Sequence, residues 1–99
     1  MNISAPEFTL PRATGVSSTD DTLTIELSDG RTLSVPIAWY PRLAHATATE
    51  RRHWRLIGGG EGIELPSVEE DISVESLIAG RSSRESQASL DRWLASRKV

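Results

Sequence analysis

The chain contains no cysteine. That excludes a disulfide, a thiolate nucleophile and any cysteine-ligated metal. It holds two histidines, His45 and His53, at a spacing that matches no familiar metal signature. A zinc site would need Asp or Glu to complete it, so both read as ordinary surface or half-buried side chains. No stretch reaches the ~20 apolar residues of a membrane span. The first residues carry Glu7 and no basic region followed by an apolar run, so no signal peptide is expected and the cytoplasm is the default compartment. No serine sits in a Gly-x-Ser-x-Gly elbow, and no spacing supports a Ser-His-Asp group. The run Gly58-Gly59-Gly60-Glu61-Gly62 lacks the following Lys-Ser or Lys-Thr pair and the long helix of a phosphate loop, and Glu61 would repel phosphate. It reads as a hairpin loop. There is no internal repeat.

What is present is an ordinary globular composition. The 99 residues are 37% hydrophobic and 25% charged, with a formal net charge of −3. One domain with one core is expected at this length, burying roughly two-thirds of the surface of the unfolded chain. The negative balance speaks against non-specific nucleic-acid binding, which relies on a basic footprint.

Residues 1–12, with Pro6 and Pro11, read as an extended lead-in in which Phe8 and Leu10 alternate toward a sheet edge. Residues 13–19 suggest a short edge strand and Asp20-Asp21 a turn. Leu23, Ile25 and Leu27 alternate with polar residues, as do Leu33, Val35 and Ile37 after Asp29-Gly30, which is a β-hairpin pattern. A two-residue Asp-Gly loop would set Glu26 against Leu33 and mix the faces. A three-residue loop over Ser28, Asp29 and Gly30 sets Leu27 opposite Arg31, Ile25 opposite Leu33 and Leu23 opposite Val35, keeping the apolar side chains together. This predicts a type I turn with left-handed Gly30 and a bulge.

Pro36 limits pairing at the strand end, and Pro41 permits a short helix from Arg42. Thr47 and Glu50 fit a capping box opening a helix through about His53. Trp54, Leu56 and Ile57, then Ile63 and Leu65 beyond the glycine run, suggest a second short hairpin. Glu69-Glu70-Asp71 reads first as a solvated turn favouring the next helix start, then as a contact for a basic partner, and last as a divalent-cation ligand set. Ser73 caps a helix holding Val74, Leu77 and Ile78, and Gly80 stands where a C′ glycine belongs. Ser82-x-x-Glu85 reads as another capping box before a final helix with Leu90, Trp93 and Leu94 on one stripe and Arg97 and Lys98 at its end. The expected architecture is α+β: an antiparallel β-sheet made of a three-stranded meander plus a second short hairpin, short helices, and a C-terminal helix. Its expected division is a lead-in over 1–12, an α+β domain over 13–80 and a C-terminal amphipathic helix over 81–99.

The hairpin around Asp29-Gly30, Trp39-Tyr40-Pro41-Arg42-Leu43 with Ala46, Thr49-Glu50-Arg51-Arg52, Trp54-Arg55-Leu56, the glycine run, Gly62 to Pro66 and the block Glu70 to Gly80 follow one another in order. Together this stretch resembles the bacterial Domain of Unknown Function 2442 family over roughly residues 13–80. It departs from the family pattern in having Leu65 in place of a tryptophan and Glu69-Glu70-Asp71 in place of an Asp-Glu-Asp run. The resemblance implies a small protein, often encoded beside a second small protein in an arrangement similar to toxin–antitoxin pairs. Some relatives add a helix-turn-helix domain; too few residues follow Gly80 for one, so their DNA-binding role is not carried over.

Three functional expectations follow. The first is a non-enzymatic, antitoxin-like binding module for a small protein partner, needing no cofactor and no membrane. The second is a nucleic-acid-binding accessory protein using Arg51, Arg52 and Arg55, where a helix would set Arg51 and Arg55 on one face. The third is an enzyme or metal-dependent protein using the acidic turn. The terminal stripe packs on its own sheet, or enters a groove on a partner or a second copy in a homo-oligomer. The candidate contact residues are Trp39, Tyr40, Arg51, Arg52, Arg55, Leu90, Trp93 and Leu94.

Overall fold

The computed structural model describes residues 9–97. Of the expected lead-in, only residues 9–12 fall within that range, and they carry no regular structure; Phe8 lies outside it, as does Lys98.

Strands β1 (Ala13–Ser18), β2 (Thr22–Leu27) and β3 (Thr32–Pro36) form an antiparallel meander in the order β1-β2-β3. The register is the one that gathers the apolar side chains: Leu23 faces Val35 and Ile25 faces Leu33. The Leu27 amide donates to the Arg31 carbonyl at 2.9 Å, and the Gly30 amide to the Leu27 carbonyl at 3.1 Å. Gly30 has φ 90°, a conformation that costs glycine little and a β-branched residue much. A bulge between Ala13 and Gly15 shifts the pairing of β1.

A 3-10 turn over Ile37–Trp39 leads into helix α1 (Pro41–Ala44), with Pro41 at its first position. Helix α2 (Ala48–Arg52) opens with the full capping box: Thr47 accepts from the Glu50 amide, and Glu50 accepts from the Thr47 amide.

The second sheet holds three strands rather than a hairpin. These are β4 (Arg55–Ile57), β5 (Gly62–Leu65) and β6 (Glu70–Ser73), all antiparallel, in the order β4-β5-β6. The expected solvated turn over Glu69-Glu70-Asp71 is corrected here. The chain turns over a 3-10 segment, Pro66–Val68, closed by Glu69 in the left-handed region at φ 55°, and Glu70 and Asp71 are already paired to Leu65 and Glu64. Tertiary pairing to β5 overrides the poor strand propensity of the acidic residues.

Helix α3 (Val74–Ile78) is capped by Ser73 and closed by Gly80 at φ 74°. The Gly80 amide donates to Leu77 and the Arg81 amide to Ser76, the doubled bonding of a glycine-terminated helix. Helix α4 (Gln87–Ser96) begins later than expected: Ser86, not Ser82, is its cap and accepts from the Ser89 amide. The Ser82-x-x-Glu85 box does not form because Glu85 is committed to Arg42, with N–O distances of 2.7 to 2.9 Å.

One apolar core joins both sheets. Leu23, Ile25 and Val35 from the first meet Ile63, Leu65 and Ile72 from the second, with Leu43, Val68 and Leu77 between. Leu90 and Trp93 of α4 belong to the same core, and Leu94 packs at its edge. The terminal stripe therefore packs on its own chain. Two ion pairs hold its ends, Arg42–Glu85 before it and Glu50–Arg97 after it. The guanidinium carbons of Arg42 and Arg97 stand 5.2 and 4.5 Å from the Trp93 ring centroid, within cation–π range.

Candidate functional site

The concave surface richest in chemistry lies between β6 and the linker joining α3 to α4. Tyr40 stands at its base. The backbone there is locked: its amide donates to Ile37, and its carbonyl accepts from the Leu43 and Ala44 amides. Only 4% of Tyr40 is exposed, and its hydroxyl is buried with no hydrogen-bond partner among the described residues. Burial, with the Glu70 charge nearby, pushes the phenol up to about 12. It therefore remains a proton donor without an acceptor, an expensive state for a buried group.

The opposite wall is linker 81–84. It is pinned at mid-length by the Ser83 amide, which donates to the Trp39 carbonyl at 2.9 Å, and at its far end by the Arg42–Glu85 pair. The open cleft so formed measures about 490 Å³ and is lined by Tyr40, residues 70–73, Ser76 and residues 81–84.

Strand β6 is an edge strand, and its free edge faces this cleft. The Val74 amide donates to the Glu61 carbonyl. Antiparallel alternation then makes Ile72–Ile63 and Glu70–Leu65 the hydrogen-bonded pairs, while Asp71 and Ser73 sit in non-bonded pairs. The amides of Asp71 and Ser73 and the carbonyl of Asp71 thus point away from β5, and none has a hydrogen-bond partner among the described residues.

Glu70 shares the inner face of β6 with Ile72. Burial first, then the charges of Glu85 and Asp71, push its carboxyl up to about 7 against the opposing pull of Arg42. Arg42 itself holds Glu85 below the usual carboxylate range and donates to the Val68 and Glu69 carbonyls, fixing the turn into β6.

The structure scatters the candidate contact residues. Tyr40 reaches the cleft, and Trp39, half-buried, supports its linker wall. Arg51 is only 7% exposed. It donates to the Ala46 and Leu43 carbonyls and to Asp20, with Nε left unpartnered, and so ties the α1–α2 corner to the β1–β2 turn. Arg52 is exposed and bonds Thr49; Arg55 lies on β4 and pairs with Glu64. The expected shared helical face for Arg51 and Arg55 is corrected, because α2 ends at Arg52. Leu90 and Trp93 are buried in the chain's own core. Sequence reasoning missed the edge groups of Asp71 and Ser73 and the arginines Arg81 and Arg84. The available signal was an arginine directly after a helix-ending glycine and a second one three residues later. Among the described residues, no group of three or more His, Cys, Asp or Glu is placed to hold a metal ion, and no helix is long and apolar enough to cross a membrane.

Residues 13–83 match the family described as protein of unknown function DUF2442. The chain belongs to that family. The DUF2442 match takes in β1 to α3 and ends within the linker wall of the cleft. Among solved structures, a protein of unknown function from Rhodospirillum rubrum is similar, at 22% identity and TM-score 0.68, covering 81% of this chain and 96% of that one. An uncharacterised protein from Chromobacterium violaceum is also similar, at 24% identity and TM-score 0.61, covering 86% of this chain and 74% of that one. Both likenesses are of fold. No curated protein matches the chain.

Proposed function

We propose that this DUF2442 chain is a non-enzymatic protein-binding module that receives an extended segment of a partner along the free edge of β6. The observation that carries this reading is the set of unpartnered backbone groups at Asp71 and Ser73 facing an open cleft. An incoming strand satisfies such groups with main-chain hydrogen bonds, and flanking side chains supply the specificity. Tyr40 lines the same cleft, with its hydroxyl buried beneath the surface. The family resemblance makes a small, antitoxin-cognate protein the first partner to test. The nucleic-acid alternative has less behind it, since Arg51 is buried and Arg55 is paired.

The test begins by capturing partners on the tagged chain and on Asp71→Pro. Proline deletes an outward amide that β5 does not use, a position where edge strands tolerate it. A protein so captured is then purified and titrated into each form, with amide exchange followed residue by residue. The expected result is binding about tenfold or more weaker for the variant, with slowed exchange at Asp71 and Ser73 in the wild-type complex. Equal binding by the variant, with protection elsewhere, overturns the β6 reading. Nucleic acid as the sole stoichiometric companion overturns the protein-binding reading itself.

A further inference from the structure

We infer that the segment entering the cleft is acidic: an extended peptide whose carboxylate side chains are met by Arg81 and Arg84. This rests on the strand-addition reading and names the chemistry of its occupant.

The chain pairs most of its arginines with carboxylates of its own. Arg12, Arg31, Arg42, Arg51, Arg55 and Arg97 each stand within 4.0 Å of a carboxylate, on Glu61, Asp29, Glu85, Asp20, Glu64 and Glu50 respectively. Four described arginines make no ion pair: Arg52, which bonds Thr49, Arg92, and Arg81 and Arg84, which make no side-chain hydrogen bond either and, unlike the other two, line this cleft together. In a chain with a net charge of −3 and more carboxylates than cations, two unpaired guanidinium groups beside one strand edge form a local positive site. Guanidinium is also the side chain best matched to carboxylate, through two parallel donors.

Two carboxylates, Glu70 and Asp71, share the cleft. Asp71 is exposed and makes no ion pair with either arginine. Glu70 lies on the inner face with Ile72, and its carboxyl, pushed up to about 7 by burial, carries only part of a charge near that pH. The arginines therefore outnumber the carboxylate charge that faces an occupant. Strand geometry sends alternate side chains of an added peptide to one face, about 7 Å apart. A segment with acidic residues at every second position would present them together to the linker wall while its backbone pairs with Asp71 and Ser73.

The full chain, immobilised, is used to select from a library of short random peptides, in parallel with an Arg81→Ala/Arg84→Ala double variant and with Asp71→Pro. The most enriched sequence is then labelled and titrated beside a counterpart with Gln and Asn for every acidic residue. The expected outcome is selection of peptides with Asp or Glu at alternate positions by the wild type alone. Affinity should fall about tenfold or more on neutralising either the peptide or the two arginines, and should weaken with added salt. Selection of neutral or basic peptides that the double variant binds equally, but Asp71→Pro does not, overturns the acidic inference and leaves strand addition standing. No enrichment over bare support, or binding indifferent to Asp71→Pro, overturns both. If Asp71→Pro fails to fold, slowed amide exchange at Asp71 and Ser73 in the wild-type complex replaces it as the criterion.

Discussion

Glu70 is the side chain whose placement the sequence concealed most. In Glu69-Glu70-Asp71 three acidic residues look interchangeable, but the left-handed turn at Glu69 rotates Glu70 alone toward Tyr40 and the core. Its carboxyl is raised from an ordinary value to about 7. A group with a raised folded value binds its proton more tightly in the native state. Its contribution is therefore present below the unfolded value near 4.5 and is lost as pH rises through about 7. Glu70→Gln should raise stability at about pH 8 by about 1 kcal/mol, after allowance for solvent screening, and change little at about pH 4. Denaturant melts of both proteins at the two pH values check this; equal gains at both would assign the effect to packing. Gly30, by contrast, was legible. Only one loop length keeps Leu23, Ile25, Leu33 and Val35 on one face, and that length requires a left-handed residue.

At the scale of elements, the meander, α1 behind Pro41, the capped α2 and the glycine-terminated α3 could be read because each has a local cause: alternation, a proline at the first helical position, a Thr47–Glu50 box, a C′ glycine. Strand β6 has none. Ile72 is its one apolar residue, and the strand exists through its pairing to β5, a dependence that its own local pattern does not encode. The start of α4 misled for a related reason. Ser82 and Glu85 have capping spacing, but Arg42, far away in sequence, takes Glu85 and moves the cap to Ser86. Ser86→Ala should cost about 1 kcal/mol, the usual loss for a cap, whereas Ser82→Ala should cost only a few tenths. Thermal melts of the two variants decide the point, and the reverse order would restore the earlier start. The candidate site was legible only at Tyr40, because the remainder of the cleft arises where β6 and the linker meet.

Across the whole molecule, α4 closes the core that both sheets share, and it is fastened electrostatically at each end. The Arg97 guanidinium, then the Thr47 amide, hold the Glu50 carboxyl down to about 2. A depressed folded value contributes stability that is present above the unfolded value of 4.5 and lost as pH falls toward about 2. Acid should therefore loosen the far end of α4 across that window, and Trp93 fluorescence should report the change beside Arg97. In Arg97→Ala the acid transition should begin at higher pH; an unchanged midpoint would remove the pair from the account.

The linker has two duties. Residues 81–84 wall the cleft, and Glu85, the next residue, is the first fastening of α4. If a strand is received against β6 as proposed, filling the cleft and seating the helix are linked through these residues. On that proposal a strand lodged against β6 would tighten the helix over the core, and a helix that slipped its fastenings would slacken the cleft by the same free energy. The linker would then be a drawstring, in which the proposed partner's grip and the fold's own closure are pulled on a single cord.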